Sequence, residues 1–212
     1  MIEGLRKSYT KGQLEKGDLL DQPLDMLSEW LSQAVEETGI EANAMTLSTV
    51  NQEGQPSARI VLAKGIDENG VVFYTNYKSR KALQIEHNNK ASLLFFWKEL
   101  ERQVRVEGQL KKVSEERSKA YFQSRPKGSQ IGAWASPQSE VISDRAILED
   151  RADELRDIYR EYDVLPKPPN WGGYILRPHY FEFWQGRDNR LHDRFEYRLE
   201  DQNNWVINRL AP

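Results

Sequence analysis

Cysteine is absent from the chain. Disulfides, thiolate metal centres and cysteine nucleophiles are therefore excluded, and the absence fits a reducing compartment such as the cytoplasm. Histidine is scarce: His87, His179 and His192 lie far apart and show neither HxxxH nor HExxH spacing, so a histidine zinc site is not expected. No apolar run reaches the roughly 18 residues of a membrane-spanning helix. The N-terminal MIEGLRKSYTKGQLEKGDLL lacks the apolar stretch of a signal peptide and reads as a polar, flexible arm over residues 1–20. No GxGxxG follows a strand pattern and no GxxxxGK[ST] occurs, so neither common phosphate loop is supported. Charge of one sign is not in excess either: 30 Lys and Arg against 33 Asp and Glu leave a net charge of −3. That balance argues against a general nucleic-acid binder. The basic residues form local clusters, which favours a small anion as ligand.

What remains is enough for one domain. The 212 residues carry no low-complexity linker, and residues 21–212 are expected to form a single unit. Apolar spacing predicts a helix over Pro23–Thr38, with Leu24, Leu27, Leu31, Ala34 and Val35 on one face and Gly39 ending it. The period then changes to two. Strands are expected over Ala44–Asn51, Pro56–Lys64 and Val71–Asn76, separated by the turn sequences NQEGQ and DENG. A short helix over Ser79–His87 has Ser79 as its N-cap. Ser92–Trp97 reads as a fully buried strand, and Arg102–Val113 alternates, with Val104, Val106 and Leu110 on one face. Further helices are predicted over Ser114–Ser124 and from about Ser143 to Tyr162, the latter with a stripe of Ile147, Leu148, Leu155 and Ile158. Strands close the chain at Gly173–Leu176, Tyr180–Gln185, Asp193–Leu199 and Trp205–Leu210, the last two joined by the EDQNN turn. Short turns between strands imply antiparallel pairing. The fold class is α+β, mainly β, built on an antiparallel barrel.

Several clusters could carry chemistry. FWQGRDNRLHDR, from Phe183 to Arg194, joins a flat indole, Trp184, to Arg190, His192 and Arg194. Arginine forks grip planar anions, and histidine titrates near neutrality. The segment suits a flat anionic molecule; as a basic hairpin in water it would need none. Arg59 and Lys64 bracket an apolar strand and, five residues apart, should face opposite sides. Arg80 and Lys81 open a helix, where cations are unfavourable unless an anion sits at its positive end. Tyr74-Thr75-Asn76 supplies hydroxyl and amide groups close by. Tyr121 and Arg125, four apart on a helix face, and Ser129 beyond Pro126 could hold a phosphate monoester or form a surface stack. Gln138-Ser139 and Trp171-Gly172-Gly173 read alone as structural.

In series, RIVLAK, FYTNYKSRKALQIE, ERQVRVEG, YFQSRPKGSQIGAWAS, PQSE, WGGY and FWQG…NRLHDRFEY…NRLAP resemble the pyridoxine (pyridoxamine) 5′-phosphate oxidases, in family order from about Met45 to Pro212. The resemblance implies an FMN-binding split barrel and a homodimer with FMN at the subunit interface. A C-terminal dimerisation and substrate segment spans about 170–212. It also implies oxidation of pyridoxamine 5′-phosphate and pyridoxine 5′-phosphate to pyridoxal 5′-phosphate. Hydride would pass from substrate C4′ to flavin N5, and O2 would be reduced to H2O2. Carried over by motif, the FMN set is Arg59, Ile60, Val61, Leu62, Ala63, Lys64, Tyr74, Thr75, Arg80, Lys81, Gln103, Gln138, Ser139, Trp184 and Arg194. The substrate set is Lys64, Tyr121, Arg125, Ser129, Arg190 and His192, with Arg190 and His192 as the catalytic pair. Two residues apart, they would share one side if that stretch is extended. Arg187-Asp188 after FWQG and Ala63 in RIVLAK depart from the family pattern. A flavin, haem or pyridoxal-phosphate carrier without turnover, or a flavin reductase acting on another substrate, are the competing classes.

Overall fold

The computed structural model describes residues 4, 7–39, 41–201 and 204–212. The rest of the N-terminal arm's first six residues, and Gln202 and Asn203 of the EDQNN turn, lie outside the described residues. Helix α1 spans Pro23–Thr38, as its spacing predicts. Pro23 stands at its first turn, where the missing N–H costs nothing. Gly39 closes it with φ 75° and donates its N–H to Val35 O, a conformation that favours glycine. The buried face is Pro23, Met26, Leu27, Trp30 and Ala34. It is rotated from the expected stripe: Val35 is exposed, and Leu24 and Leu31 lie at the edge. Trp30, edge-on to Phe183, sets this rotation because its indole is the largest apolar group on the helix.

The strands are β1 Ala44–Val50, β2 Pro56–Leu62, β3 Gly65–Asp67, β4 Gly70–Asn76, β5 Lys90–Trp97, β6 Arg102–Lys112, β7 Trp171–Gln185, β8 Asp193–Asp201 and β9 Asn204–Arg209. All pair antiparallel, in the order β2-β1-β5-β6-β7-β4-β3, with β8 beside β7 and β9 beside β8. The sheet curls into a split barrel around Leu47, Phe73, Phe95, Val104, Phe181, Phe183 and Tyr197, all fully buried. Burying one such phenylalanine is worth about 1.5–3 kcal/mol.

The split is made by β7. Its first half pairs with β4 and its second half with β8, while β6 runs along its other side from Tyr174 to Gln185. The two short strands expected here are one strand. The change of partner falls at Pro178, opposite a register shift at Glu107/Gly108. Proline has no N–H for a ladder and is tolerated where pairing breaks. Gly108 is needed at the same point, since a Cβ there would lie 2.2 Å from Arg177 O. β5 also departs from expectation. Leu93, Phe95 and Trp97 are buried, but Leu94 is half-buried and Phe96 is exposed. The strand has one core face, so an apolar run here marks an outer surface too.

Five helices decorate the barrel among the described residues: α1, α2 Arg80–His87, α3 Glu115–Ser124, α4 Lys127–Ala135 and α5 Ala146–Ile158. Helix α4 is not among the elements the sequence predicts; it begins directly after Pro126, which takes its N-cap position. Helix α5 is shorter than predicted. Of its stripe only Leu155 is buried, in a cluster with Phe122, Ile131 and Trp171, whereas Ile147 and Ile158 are exposed, because α5 packs mainly on α4. No helix among the described residues is long and apolar enough to cross a membrane.

From Lys7 to Leu20 the arm lies against the barrel, although its polarity reads as a free segment. Glu101, fully buried with a left-handed φ of 54°, accepts the backbone N–H groups of Thr10 and Lys11 at 2.8 and 3.0 Å and pairs with Lys7 at 2.9 Å. Leu14 is buried, and its N–H donates to Asp193.

Candidate active site

Where β2 leaves the sheet, the chain crosses to β4: Ala63 N–H donates to Asn43 O and Lys64 N–H to Val72 O. Alternation carries on past the end of β2: Ser57, Arg59, Val61 and Ala63 are the more buried set and Ala58, Ile60 and Lys64 the exposed one, so Arg59 and Lys64 face opposite sides as their spacing predicts. Both line one cleft of about 520 Å³, with Ile60, Val61, Leu62, Tyr74, Thr75, Lys81, Tyr121, Arg125, Ser129, Gln138 and Trp171. Ala63 is not in it; its side chain is buried in the core. β2 is an edge strand of the sheet, and its unpaired backbone groups are open to a ligand.

The cleft is cationic and has no acid in its lining. Arg59 donates to Leu47 O at 3.1 Å and Thr49 Oγ1 at 2.6 Å through Nη1, and to Ser57 Oγ at 2.8 Å through Nη2. Lys81 Nζ donates to Gln138 Oε1 at 3.0 Å and Thr75 Oγ1 at 3.2 Å, and the Thr75 hydroxyl donates to the same Gln138 oxygen. Burial, then the charge of Arg80, lowers the pKa of Arg59; burial, then Arg59, lowers that of Lys81. A bound anion would reverse both effects. Arg80 itself lines an adjoining cavity with Ser139 and Gln84. Ser79 occupies the N-cap position of α2 without a capping bond and instead approaches Lys81 Nζ at 3.5 Å.

Arg125 does not continue the face of α3. It is the C-cap, in extended conformation, and its guanidinium turns over the Trp171 ring at 4.9 Å. Tyr74, Tyr121 and Trp171 stack beside it, the two tyrosines 3.9 Å apart. Arg125 Nη1 is buried and has no hydrogen-bond partner. Burial pushes the pKa of Arg125 down and that of Tyr121 up. Trp171, which reads as a structural lead-in to a strand, is thus part of the cleft; its only sequence signal is an aromatic before two glycines.

The remaining expected residues lie elsewhere. Gln103, Trp184 and Arg194 are successive cross-strand partners on β6, β7 and β8. Their neighbours Val104, Phe183 and Phe195 are buried, so this row faces away from the core, in line with Phe96. Arg194 is held by Glu182, whose carboxylate takes its Nε at 2.8 Å, and by Ala211 O. Glu182 is buried and also takes Arg105 at 3.0 Å. Arg190 and His192 are not on an extended strand. Asp188–Arg190 is a 3-10 turn, β8 begins only at Asp193, and Asn189 and Arg190 have φ 56° and 62°. Left-handed backbone at two successive non-glycine residues is strained and held by its surroundings. His192 packs against Trp184 at 4.6 Å and accepts the Arg187 N–H at Nδ1, which leaves Nε2 to carry the proton. Burial, then Arg190 and Arg194, lowers its pKa. Tyr9 of the arm sits edge-on to Trp184. Nothing in this second group lines the first cleft.

Known proteins match along nearly the whole chain. The family model described as Pyridoxamine 5′-phosphate oxidase matches residues 31–159. That described as Pyridoxine 5′-phosphate oxidase C-terminal dimerisation region matches residues 171–212. A pyridoxine/pyridoxamine 5′-phosphate oxidase of Bordetella pertussis is 54% identical over 211 residues, covering 100% of this chain and 99% of the relative. One of Acaryochloris marina is 51% identical, covering 100% and 95%. The crystal structure of PhzG from Burkholderia lata 383, in complex with tetrahydrophenazine-1-carboxylic acid, has a TM-score of 0.89 at 32% identity, covering 97% of this chain and 100% of that one. A pyridoxamine 5′-phosphate oxidase-related, FMN-binding protein from Nostoc punctiforme shares the fold at a TM-score of 0.72 and 20% identity, covering 90% and 98%.

Proposed function

The chain belongs to the pyridoxamine 5′-phosphate oxidase family, and on that premise we propose that it oxidises pyridoxamine 5′-phosphate and pyridoxine 5′-phosphate to pyridoxal 5′-phosphate with FMN as cofactor. The observation that carries the reading is the orphaned, buried Nη1 of Arg125, in a cleft that gathers Arg59, Lys64 and Lys81 and is lined by no carboxylate. Such a site is unfavourable empty and fits phosphate monoesters.

Arg59, Thr75, Lys81 and Gln138, with Arg80 and Ser139 behind them, would hold the flavin phosphate. The free edge of β2 and Tyr74 would line the ring. Lys64, Tyr121, Arg125 and Ser129 would hold the substrate phosphate, giving remote binding energy for alignment. Bound FMN would supply the redox chemistry, a two-electron oxidation at substrate C4′ with O2 as final acceptor and H2O2 as product; for the amine substrate, water would hydrolyse the resulting imine and release ammonia. Arg190 and the neutral, Nε2-protonated His192 would cover the pyridine ring and orient it.

Because Gln103, Trp184, Arg190, His192 and Arg194 lie apart from the cleft within one chain, a complete site requires a second copy. A homodimer with FMN between subunits meets that need, and the match of residues 171–212 to a dimerisation region supports it. The test is the visible spectrum of the purified protein, then anaerobic bleaching by pyridoxamine 5′-phosphate and peroxide release on admitting O2. Colourless protein that refuses FMN would contradict the cofactor. The likeness to PhzG keeps a ring carboxylate as rival substrate; bleaching by unphosphorylated pyridoxamine as fast as by its phosphate would favour that class.

A further inference from the structure

Behind Arg59 stands a residue of the FYTNYKSRKALQIE segment to which the resemblance assigns no role. Gln84, on α2, is 6% exposed, and its Oε1 receives the hydroxyl of Thr49 at 2.6 Å, the hydroxyl of Ser57 at 2.9 Å and, more distantly, Arg59 Nη2 at 3.4 Å. Three donors on one atom fix the amide with its oxygen inward. An amide oxygen only accepts. Both hydroxyls must therefore give their protons to Gln84, which turns their lone pairs toward Arg59, where they take Nη1 at 2.6 Å and Nη2 at 2.8 Å. Arg59 is thus aimed by a relay that starts at a buried neutral group.

A glutamate in place of Gln84 could make the same three contacts, and stronger ones. This protein does use carboxylates to hold arginines, as Glu182 holds Arg194. The difference at Gln84 is electrostatic. A buried carboxylate there, within reach of Arg59 itself, would cancel one of the charges on Arg59, Arg80 and Lys81; Arg80 lines the same cavity as Gln84, with Glu53 and Glu140 also in its lining. We propose that Gln84 sets the ligand charge of the cofactor cleft: it positions Arg59 without neutralising it, and thereby makes the site select a phosphorylated flavin over the same flavin lacking phosphate. The inference rests on the FMN reading above.

The test is equilibrium titration of full-length protein freed of flavin, with FMN and with riboflavin, followed by flavin fluorescence, for wild type and Gln84→Glu. One added negative charge close to the phosphate should raise the FMN Kd by roughly 10–100-fold, while the riboflavin Kd stays within about threefold. The flavin-free variant should melt no lower than wild type, because the added carboxylate relieves repulsion among the three cations. Thr49→Val, which removes one arm of the relay without adding charge, should weaken FMN several-fold, leave riboflavin unchanged, and serve if Gln84→Glu does not fold. An unchanged FMN Kd, or equal losses for both flavins with a lower melting temperature, would overturn the proposal and leave Gln84 a packing residue. Wild-type protein that binds neither flavin would overturn the cofactor reading, and this inference with it.

Discussion

Arg59 and Arg194 are the same residue in opposite settings. Arg59 is held by hydroxyl and carbonyl oxygens alone and keeps its charge. Arg194 is held by the buried carboxylate of Glu182 and by the Ala211 carbonyl, so most of its charge is answered inside the protein. The first arrangement costs stability in the absence of ligand and repays it on binding an anion. The second stabilises the fold and leaves an oriented donor with little net field. One chain therefore separates its charged grip from its oriented surface, and the two halves lie on different faces.

The largest expected effect comes from the arginine outside both settings. Arg190 has no carboxylate partner within ion-pair distance among the described residues and sits on left-handed backbone. Arg190→Ala should slow anaerobic flavin reduction by about 10²–10³-fold, the range for loss of one oriented donor to developing charge. FMN affinity should barely move; stopped-flow reduction at the wild-type rate would break the assignment. Next is Arg125, with its orphaned Nη1. Arg125→Gln removes charge-assisted bonds worth about 1.5–3 kcal/mol, and should raise KM for the phosphorylated substrate while sparing unphosphorylated pyridoxamine in steady-state assays.

A direct contrast of the two settings uses melting curves. Glu182→Gln leaves Arg194 and Arg105 without their shared anion. Breaking a buried pair costs up to about 3–5 kcal/mol, and since both arginines are partly exposed a loss of about 1–3 kcal/mol is expected here. Arg59→Gln should leave the flavin-free protein as stable as before, or more so, while abolishing the preference for FMN. Equal destabilisation by both variants would erase the distinction. The smallest effect is in pH. Since burial and two arginines lower the His192 pKa, the imidazole stays neutral through pH 7 and protonates only below its ordinary value of about 6.5. The stability linked to that shift is present above the unfolded value and is lost as pH falls toward the folded one. NMR titration of the ring should show a midpoint below 6.5 that moves up in Arg190→Gln.

Local rules were legible where one element decides its own shape. The ends of α1 follow from Pro23 and Gly39, and the faces of β6 follow from alternation. They failed where a distant element decides. Helix α4, KGSQIGAWA, carries two glycines after a proline and is helical because Ile131 and Ala135 pack with Phe122, Leu155 and Trp171. The strand through Pro178 survives because its partner changes there. Phe96 reads as core and lies on an outer face. The site shows the same pattern. Its cations are visible as sequence clusters, but the neutral groups that aim them, Thr49, Ser57 and Gln84, are ordinary polar residues until the fold brings them together. Glu101 and Glu182 are silent for the same reason.

The account turns on the two halves meeting between copies of the chain, and subunit complementation tests that most directly. A variant disabled in the cleft, Lys81→Met with Arg125→Ala, is mixed, unfolded and refolded with one disabled in the other half, Arg190→Ala with His192→Ala. Each alone should be nearly inactive. Random pairing should restore about a quarter of wild-type activity, because half the dimers are mixed and each mixed dimer has one intact site. No activity above that of the two parents, with mixed dimers confirmed by mass, would show that each site is built within one chain and contradict the account.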